Sequence, residues 1–189
     1  MKPPGRLRIH GFEATSVANG PGTRAVVWMQ GCTLACPGCF NPETHVRGGE
    51  ELDVAELYDR VAGLAGRIDG VTISGGEPLQ QRGPVLDLLR RIRAETSLST
   101  ILFTGYSWPE VLRMRELDEL RRCVDVLLAG RYRQEARIAT GLRGSANKTV
   151  HLFTDRYTGA DLDAVPEAEV IVHPDGRLTL TGIDPPARW

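Results

Sequence analysis

Short apolar runs alternate along this chain with stretches whose apolar residues recur every three or four positions, a rhythm that predicts an α/β protein. Arg24-Ala25-Val26-Val27-Trp28-Met29-Gln30 reads as a strand that leads straight into a cysteine-rich loop. From Glu50 to about Ala65, Leu52, Ala55, Leu57, Val61 and Leu64 fall at helical intervals. The acidic start of that stretch, Glu50-Glu51-Leu52-Asp53, suits a helix N-terminus, where negative charge is favoured. Val71-Thr72-Ile73-Ser74 predicts a second strand, Pro84 to Glu95 a helix with proline in its first turn, and Ser99 to Thr104 a third strand. Pro109 to Arg122 reads as a helix with a break, and Val124 to Ala129 as a fourth, apolar strand. Apolar strands separated by amphipathic helices predict parallel strands covered by helices. The tail differs: Val170-Ile171-Val172, a Pro174-Asp175-Gly176 turn and Leu178-Thr179-Leu180 read as a hairpin. The pattern as a whole predicts a partial, open β/α barrel followed by a C-terminal β-hairpin. One domain over residues 1–189 is expected, with a core over about 7–153 and an extension whose hairpin lies at about 165–183.

Composition narrows the possible partners. The 189 residues are 41% hydrophobic and 25% charged, and the net charge of −1 provides no global field for nucleic acid or an anionic membrane. No apolar stretch reaches the length of a membrane span, and no apolar segment follows Met1. A cytoplasmic location, with thiols kept reduced, is the expectation.

Three of the four cysteines lie within eight residues, as Cys32-x₃-Cys36-x₂-Cys39, with Pro37-Gly38 permitting a tight turn between the last two. A disulfide would use two and strand the third. Zinc would need a fourth ligand, for which His45 is placed, and an ordinary [4Fe–4S] cluster also takes four protein ligands. Three thiolates alone leave one metal position open for chemistry. Cys123, beside Val124-Asp125-Val126-Leu127-Leu128, reads as a small buried apolar residue. Further unusual loops follow the other predicted strands: Ser74-Gly75-Gly76-Glu77-Pro78, Thr104-Gly105-Tyr106 and Gly130-Arg131-Tyr132. In open α/β architectures ligands collect at the carboxyl ends of strands, so the four loops are expected to share one rim. Glycines at 75 and 76 let backbone approach a ligand closely.

The cysteine triplet together with Ser74-Gly75-Gly76-Glu77-Pro78 resembles the radical S-adenosylmethionine (radical SAM) superfamily. More narrowly, the chain is similar to the activating enzymes of anaerobic ribonucleotide reductase and related glycyl-radical-enzyme activases. The narrower likeness rests on Asn19-Gly20-Pro21-Gly22-Thr23-Arg24, Cys36-Pro37-Gly38-Cys39-Phe40-Asn41-Pro42, Thr104-Gly105-Tyr106, Asp125 to Tyr132 and Arg143-Gly144-Ser145-Ala146-Asn147-Lys148. It implies a radical SAM fold in which Cys32, Cys36 and Cys39 hold a [4Fe–4S] cluster whose fourth iron is chelated by SAM. Gly75, Gly76 and Glu77 would cradle the methionyl ammonium, flanked by Ser74 and Pro78. Phe40 would meet the adenine or pack beneath the cluster. Thr104, Arg131, Ser145 and Asn147 are further candidates for contact with SAM, Arg131 with the SAM carboxylate. The alternatives are a solvated surface arginine at 131 and a turn role for Ser145 and Asn147. Lys148 stands where the reductase activases typically carry glutamine, and Ala129 where the family usually has an acidic residue. His45 is expected to pack at the cluster edge.

The implied reaction is reductive cleavage of SAM to a 5′-deoxyadenosyl radical that abstracts hydrogen, with no acid or base required of the chain. The implied partners are a large glycyl-radical enzyme such as anaerobic ribonucleotide reductase and an external electron donor such as flavodoxin or ferredoxin. Nucleic acid and membrane are not expected. A stand-alone enzyme modifying a peptide or small metabolite uses the same site, and a non-enzymatic zinc or iron–sulfur module is the third reading.

Overall fold

The computed structural model describes residues 5–183. Its centre is four parallel strands: β2 (Arg24–Met29), β4 (Gly70–Gly75), β5 (Ser99–Thr104) and β6 (Val126–Ala129). Antiparallel strands extend both sides. β1 (Arg6–Ser16) pairs with β2, β3 (Glu50–Asp53) with β1, and β9 (Thr149–Leu152) with β6, giving the order β3-β1-β2-β4-β5-β6-β9. The sheet does not close, so the open barrel expected from the sequence is what forms.

The crossovers carry helices α1 (Val54–Ala62), α2 (Arg82–Glu95), α3 (Trp108–Val111) and α4 (Leu117–Cys123). One strand face and the helices share a single core: Ala25, Val27 and Met29 of β2, Val71 and Ile73 of β4, Leu102 of β5 and Leu127 of β6 pack with Leu57, Leu89 and Leu120. Alternation sends Ile101, Val126 and Leu128 to the opposite face, where Leu142 and Leu162 of α5 (Gly159–Asp163) cover them. Cys123 is buried in the helix-side core, as its apolar neighbours predicted. The expected break after Pro109 appears between α3 and α4.

Two departures from the expected elements have local causes. Residues 50–53 form an edge strand instead of a helix start, and the helix runs only from Val54 to Ala62. Leu52 pairs with Leu7 of β1 and is buried, while Glu50, Glu51 and Asp53 face solvent, a charged rim of the kind that blocks edge-to-edge association. Strand β1 escapes the alternation rule because a bulge between Ile9 and Gly11 shifts its register. Leu7 and Ile9 face the core before it, Phe12 and Ala14 after it.

Beneath the site, Arg24 is fully buried and forms no carboxylate ion pair among the described residues. Its guanidinium donates to Thr72 Oγ1 at 2.7 Å, Val71 O at 2.8 Å, Ser99 Oγ at 3.0 Å and the Tyr157 hydroxyl at 3.1 Å. Burial lowers its pKa, opposed by Tyr157.

Beyond β6, β7 (Arg137–Thr140) and β8 (Arg143–Ser145) form a small hairpin. The C-terminal hairpin consists of β10 (Ala168–Val172) and β11 (Leu178–Gly182), turning at Gly176 with φ +84°. It is fastened to the end of β1: the Glu169 carboxylate accepts from the Ser16 hydroxyl and from the Val17 amide at 3.0 Å, and Asn19 donates to Thr181 at 2.9 Å.

Candidate active site

At the carboxyl end of β2 the chain turns at Gly31, whose φ of +99° favours glycine, and enters the cysteine loop. The Gly31 amide donates to Thr44 O at 2.8 Å and the Cys32 amide to His45 O at 3.3 Å, so the loop closes on itself. Across Pro37-Gly38 the Cys39 amide bonds Cys36 O at 3.1 Å, with Gly38 at φ +68°. Cys32, Cys36 and Cys39 are free, half-buried and share the wall of one cavity of about 560 Å³. That is ample for a small-molecule ligand.

The loop after β4 lies against the cysteine loop. Gly76 N donates to Met29 O at 2.8 Å and Glu77 N to Gly31 O at 3.0 Å. A Cβ on Gly75 would fall 2.5 Å from the Met29 nitrogen, and one on Gly76 2.5 Å from the Gly31 oxygen. The two glycines therefore serve the approach of one loop to the other, besides opening backbone to the cavity. Glu77 is fully buried. Its carboxylate accepts from Leu79 N at 2.9 Å, Thr104 Oγ1 at 2.8 Å and Gly105 N at 2.7 Å. Burial pushes its pKa up, against the pull of those three donors. A carboxylate offers about four acceptor directions, so one remains for a ligand.

The other singled-out residues divide into two groups. Ser74, Gly75, Gly76, Glu77, Thr104, Phe40, His45 and Lys148 wall the cavity with the cysteines. Phe40 is 38% exposed and meets the Tyr132 ring edge-on, centroids 5.1 Å apart. Pro78 is buried behind the wall. Arg131 and Asn147 lie off it. Arg131 forms a two-pronged ion pair with Glu110 at 2.5 and 2.9 Å and lies over Tyr106, while Asn147 donates to Arg131 O at 2.9 Å. Ser145 is buried, its hydroxyl 3.3 Å from the Arg133 amide.

The donor set fits an iron–sulfur cluster. A single zinc would gather its thiolates onto one ion, with each metal–sulfur distance about 2.3 Å. Among the described residues no three Cys, His, Asp or Glu side chains converge in that way. Cysteines that ligate separate irons of a cluster have no such requirement. Burial pushes the Cys32 and Cys39 thiols up, so ligation there must release protons.

Residues 18–151 match the 4Fe-4S single cluster domain family, a span that holds all four strand-end loops. The anaerobic ribonucleoside-triphosphate reductase-activating protein of Vibrio cholerae is 34% identical over 163 residues, covering 78% of this chain and 99% of that one. The chain belongs to this activating-protein family. It is a radical SAM enzyme whose cofactors are a [4Fe–4S] cluster and S-adenosylmethionine. The pyruvate formate-lyase-activating enzyme of Clostridium pasteurianum is 36% identical over 118 residues, 58% of this chain and 50% of that one. Escherichia coli QueE aligns structurally over 54% of each chain, with a TM-score of 0.43 and 16% identity.

Within this family member, sequence reasoning passed over the residues that brace the loops. Gln80 grips Thr33, accepting from its amide at 3.1 Å and donating to its hydroxyl at 2.7 Å. Gln30, nearly buried, donates to Glu43 O and Val46 O. Gln81 donates to Arg8 O and Gln30 O, both at 3.0 Å. A glutamine ending an apolar strand was the one visible signal. The hairpin also escaped assignment to the site: Arg177 and residues 179–182 wall the same cavity.

Proposed function

We propose that this chain installs a glycyl radical on a large partner enzyme, an anaerobic ribonucleotide reductase. The observation that carries the reading is the convergence of Cys32, Cys36 and Cys39 with the Gly75-Gly76-Glu77 loop on one cavity. In it, Cys32, Cys36 and Cys39 hold the cluster. The Gly75-Gly76 backbone and the remaining acceptor direction of Glu77 receive the methionyl ammonium, and Thr104 holds Glu77 in place through its hydroxyl. Ser74 lines the adjacent wall, Pro78 stiffens the loop behind it, and Phe40 packs at the adenine side. Arg131 and Asn147 act at one remove, by fixing the loop after β6.

A reduced [4Fe–4S] cluster held by Cys32, Cys36 and Cys39 would supply the one electron that splits SAM into methionine and a hydrogen-abstracting 5′-deoxyadenosyl radical. The chain's own work is to orient that carbon and keep water out. The substrate carbon is the glycine α-carbon of the partner, entering the open mouth of the barrel. A flavodoxin or ferredoxin delivers the electron. The chain acts as a single domain in the cytoplasm; among the described residues no helix is long and apolar enough to cross a membrane.

The test is anaerobic reconstitution followed by dithionite and SAM, with 5′-deoxyadenosine measured by chromatography and the glycyl radical by electron paramagnetic resonance. The expected result is 5′-deoxyadenosine together with a glycyl signal on the cognate reductase. Cleavage of SAM with no glycyl signal overturns the choice of partner and favours a peptide or small metabolite.

A further inference from the structure

Among the described residues Lys148 has no counter-ion of its own. It is the only lysine among the described residues, and it stands just before β9 on the wall that carries Cys32, Cys36, Cys39 and Glu77. Its ammonium donates to Gly130 O at 2.8 Å. An ammonium has three hydrogens, so two remain available to the cavity. Burial disfavours its charged form, which Cys36, Glu77 and Cys39 across the cavity partly support. Yet among the described residues Lys148 forms no ion pair, and Glu77 already holds three donors of the protein. An acidic and a basic group thus line one cavity without pairing with each other.

That arrangement is complementary to a zwitterion, whose ammonium and carboxylate sit one carbon apart. We propose that Lys148 Nζ binds the α-carboxylate of the methionyl portion of SAM while Glu77 receives its ammonium. The proposal rests on the assignment of this cavity to SAM and makes Lys148 a substrate-orienting residue. Two anchors of opposite sign fix the amino-acid end in one orientation. A lone carboxylate at Glu77 would leave it free to swivel about the ammonium. The Gly130 carbonyl holds the lysine in place, so little side-chain freedom is lost on binding.

The test is a two-by-two binding comparison by anaerobic equilibrium dialysis on cluster-reconstituted protein. The proteins are wild type and Lys148→Met, and the ligands are SAM and decarboxylated SAM, which lacks only the carboxylate. Lys148→Met is expected to weaken SAM by about tenfold to a hundredfold, the range of a hydrogen bond between charged groups. Its affinity for decarboxylated SAM should match that of wild type, and Lys148→Arg should recover part of the loss for SAM. An equal loss for both ligands, or no loss for either, overturns the assignment. If Lys148→Met fails to load iron, Lys148→Gln and Lys148→Arg supply the comparison, since both keep a donor at this position. Failure of the wild type to bind SAM at all would overturn the assignment of the cavity itself, an outcome distinct from a missing carboxylate effect.

Discussion

The carboxylate of Glu77 accepts the amide hydrogen of Gly105 at 2.7 Å, and so ties the loop after β4 to the loop after β5. The same side chain accepts from Leu79 and Thr104, all out of contact with solvent. One residue therefore braces two loops and lines the cavity between them. In Glu77→Gln the amide group brings two hydrogens to a place where three donors already converge. At least one buried donor then loses its acceptor, at a cost of about 1–3 kcal/mol. Urea unfolding should show that loss, and SAM affinity should fall with it. Unchanged stability would mean that the hydrogen bonds to Glu77 contribute nothing to the fold.

Close approach of two backbones makes a different prediction at Gly76. A methyl group there would sit 2.5 Å from the Gly31 oxygen and 3.1 Å from Thr44 O, and backbone cannot swing aside as a flexible side chain can. Gly76→Ala should push the cysteine loop outward and lower the iron content after reconstitution to well below that of wild type. Cys36→Ala should abolish cluster absorbance. Cys123→Ala, in the helix-side core, should leave iron per chain unchanged while lowering stability by about 1 kcal/mol for a small cavity. Iron loss in the Cys123 variant would overturn the three-cysteine ligand set.

How far these features were legible in the sequence depended on the range of the interaction. The parallel centre was legible because β2, β4, β5 and β6 bury both faces and read as continuous apolar runs. The C-terminal hairpin was legible because Pro174-Asp175-Gly176 is a local turn signal. Strand β1 was not, since its bulge at Gly11 reverses the alternation midway. Leu52 satisfied a helical interval equally well, and only its pairing with Leu7 decides for a strand. At the site, the spacing of Cys32, Cys36 and Cys39 marked the loop, but nothing near Arg131 announced that Glu110, 21 residues earlier, would pair with it. Lys148 gave no signal of sharing a cavity with Glu77 because the β7–β8 hairpin returns it to the rim.

Arg24 supplies a prediction about stability apart from chemistry. Its guanidinium joins β2 to Val71 and Thr72 of β4, to Ser99 of β5 and to Tyr157, at the end of the strands away from the cysteines. Arg24→Leu would leave several buried acceptors without a donor, and a loss of about 3 kcal/mol or more in urea unfolding is expected. Arg24→Lys should recover only part of it, because three donors cannot reproduce the planar fork. Iron content per folded molecule should stay at the wild-type level in both. A fall in iron for correctly folded Arg24→Lys would show that this network reaches the cluster loop.

The acid limb of stability should be governed largely by Asp125. Its side chain is out of contact with solvent, and burial alone would raise its pKa. Hydrogen bonds from Thr154 and the Thr100 amide, both at 2.7 Å, and from Arg93 at 2.9 Å outweigh that and hold it below the usual carboxylate range. A carboxyl depressed in the folded state stabilises at pH values above its unfolded pKa of about 3.9. That contribution disappears as pH falls through the lower folded value. Glu110, held down to about 2 by Arg131 and Ser107, titrates in the same window, but its exposure lets solvent screen most of its effect. Asp125→Asn should therefore cost about 3 kcal/mol at pH 7, where it breaks a buried charged network. The gap between variant and wild type should narrow steadily below about pH 4 as the wild-type carboxylate protonates. Urea unfolding between pH 3 and pH 7 measures both curves, and a gap that stays constant across that range would remove Asp125 as the source of the acid limb.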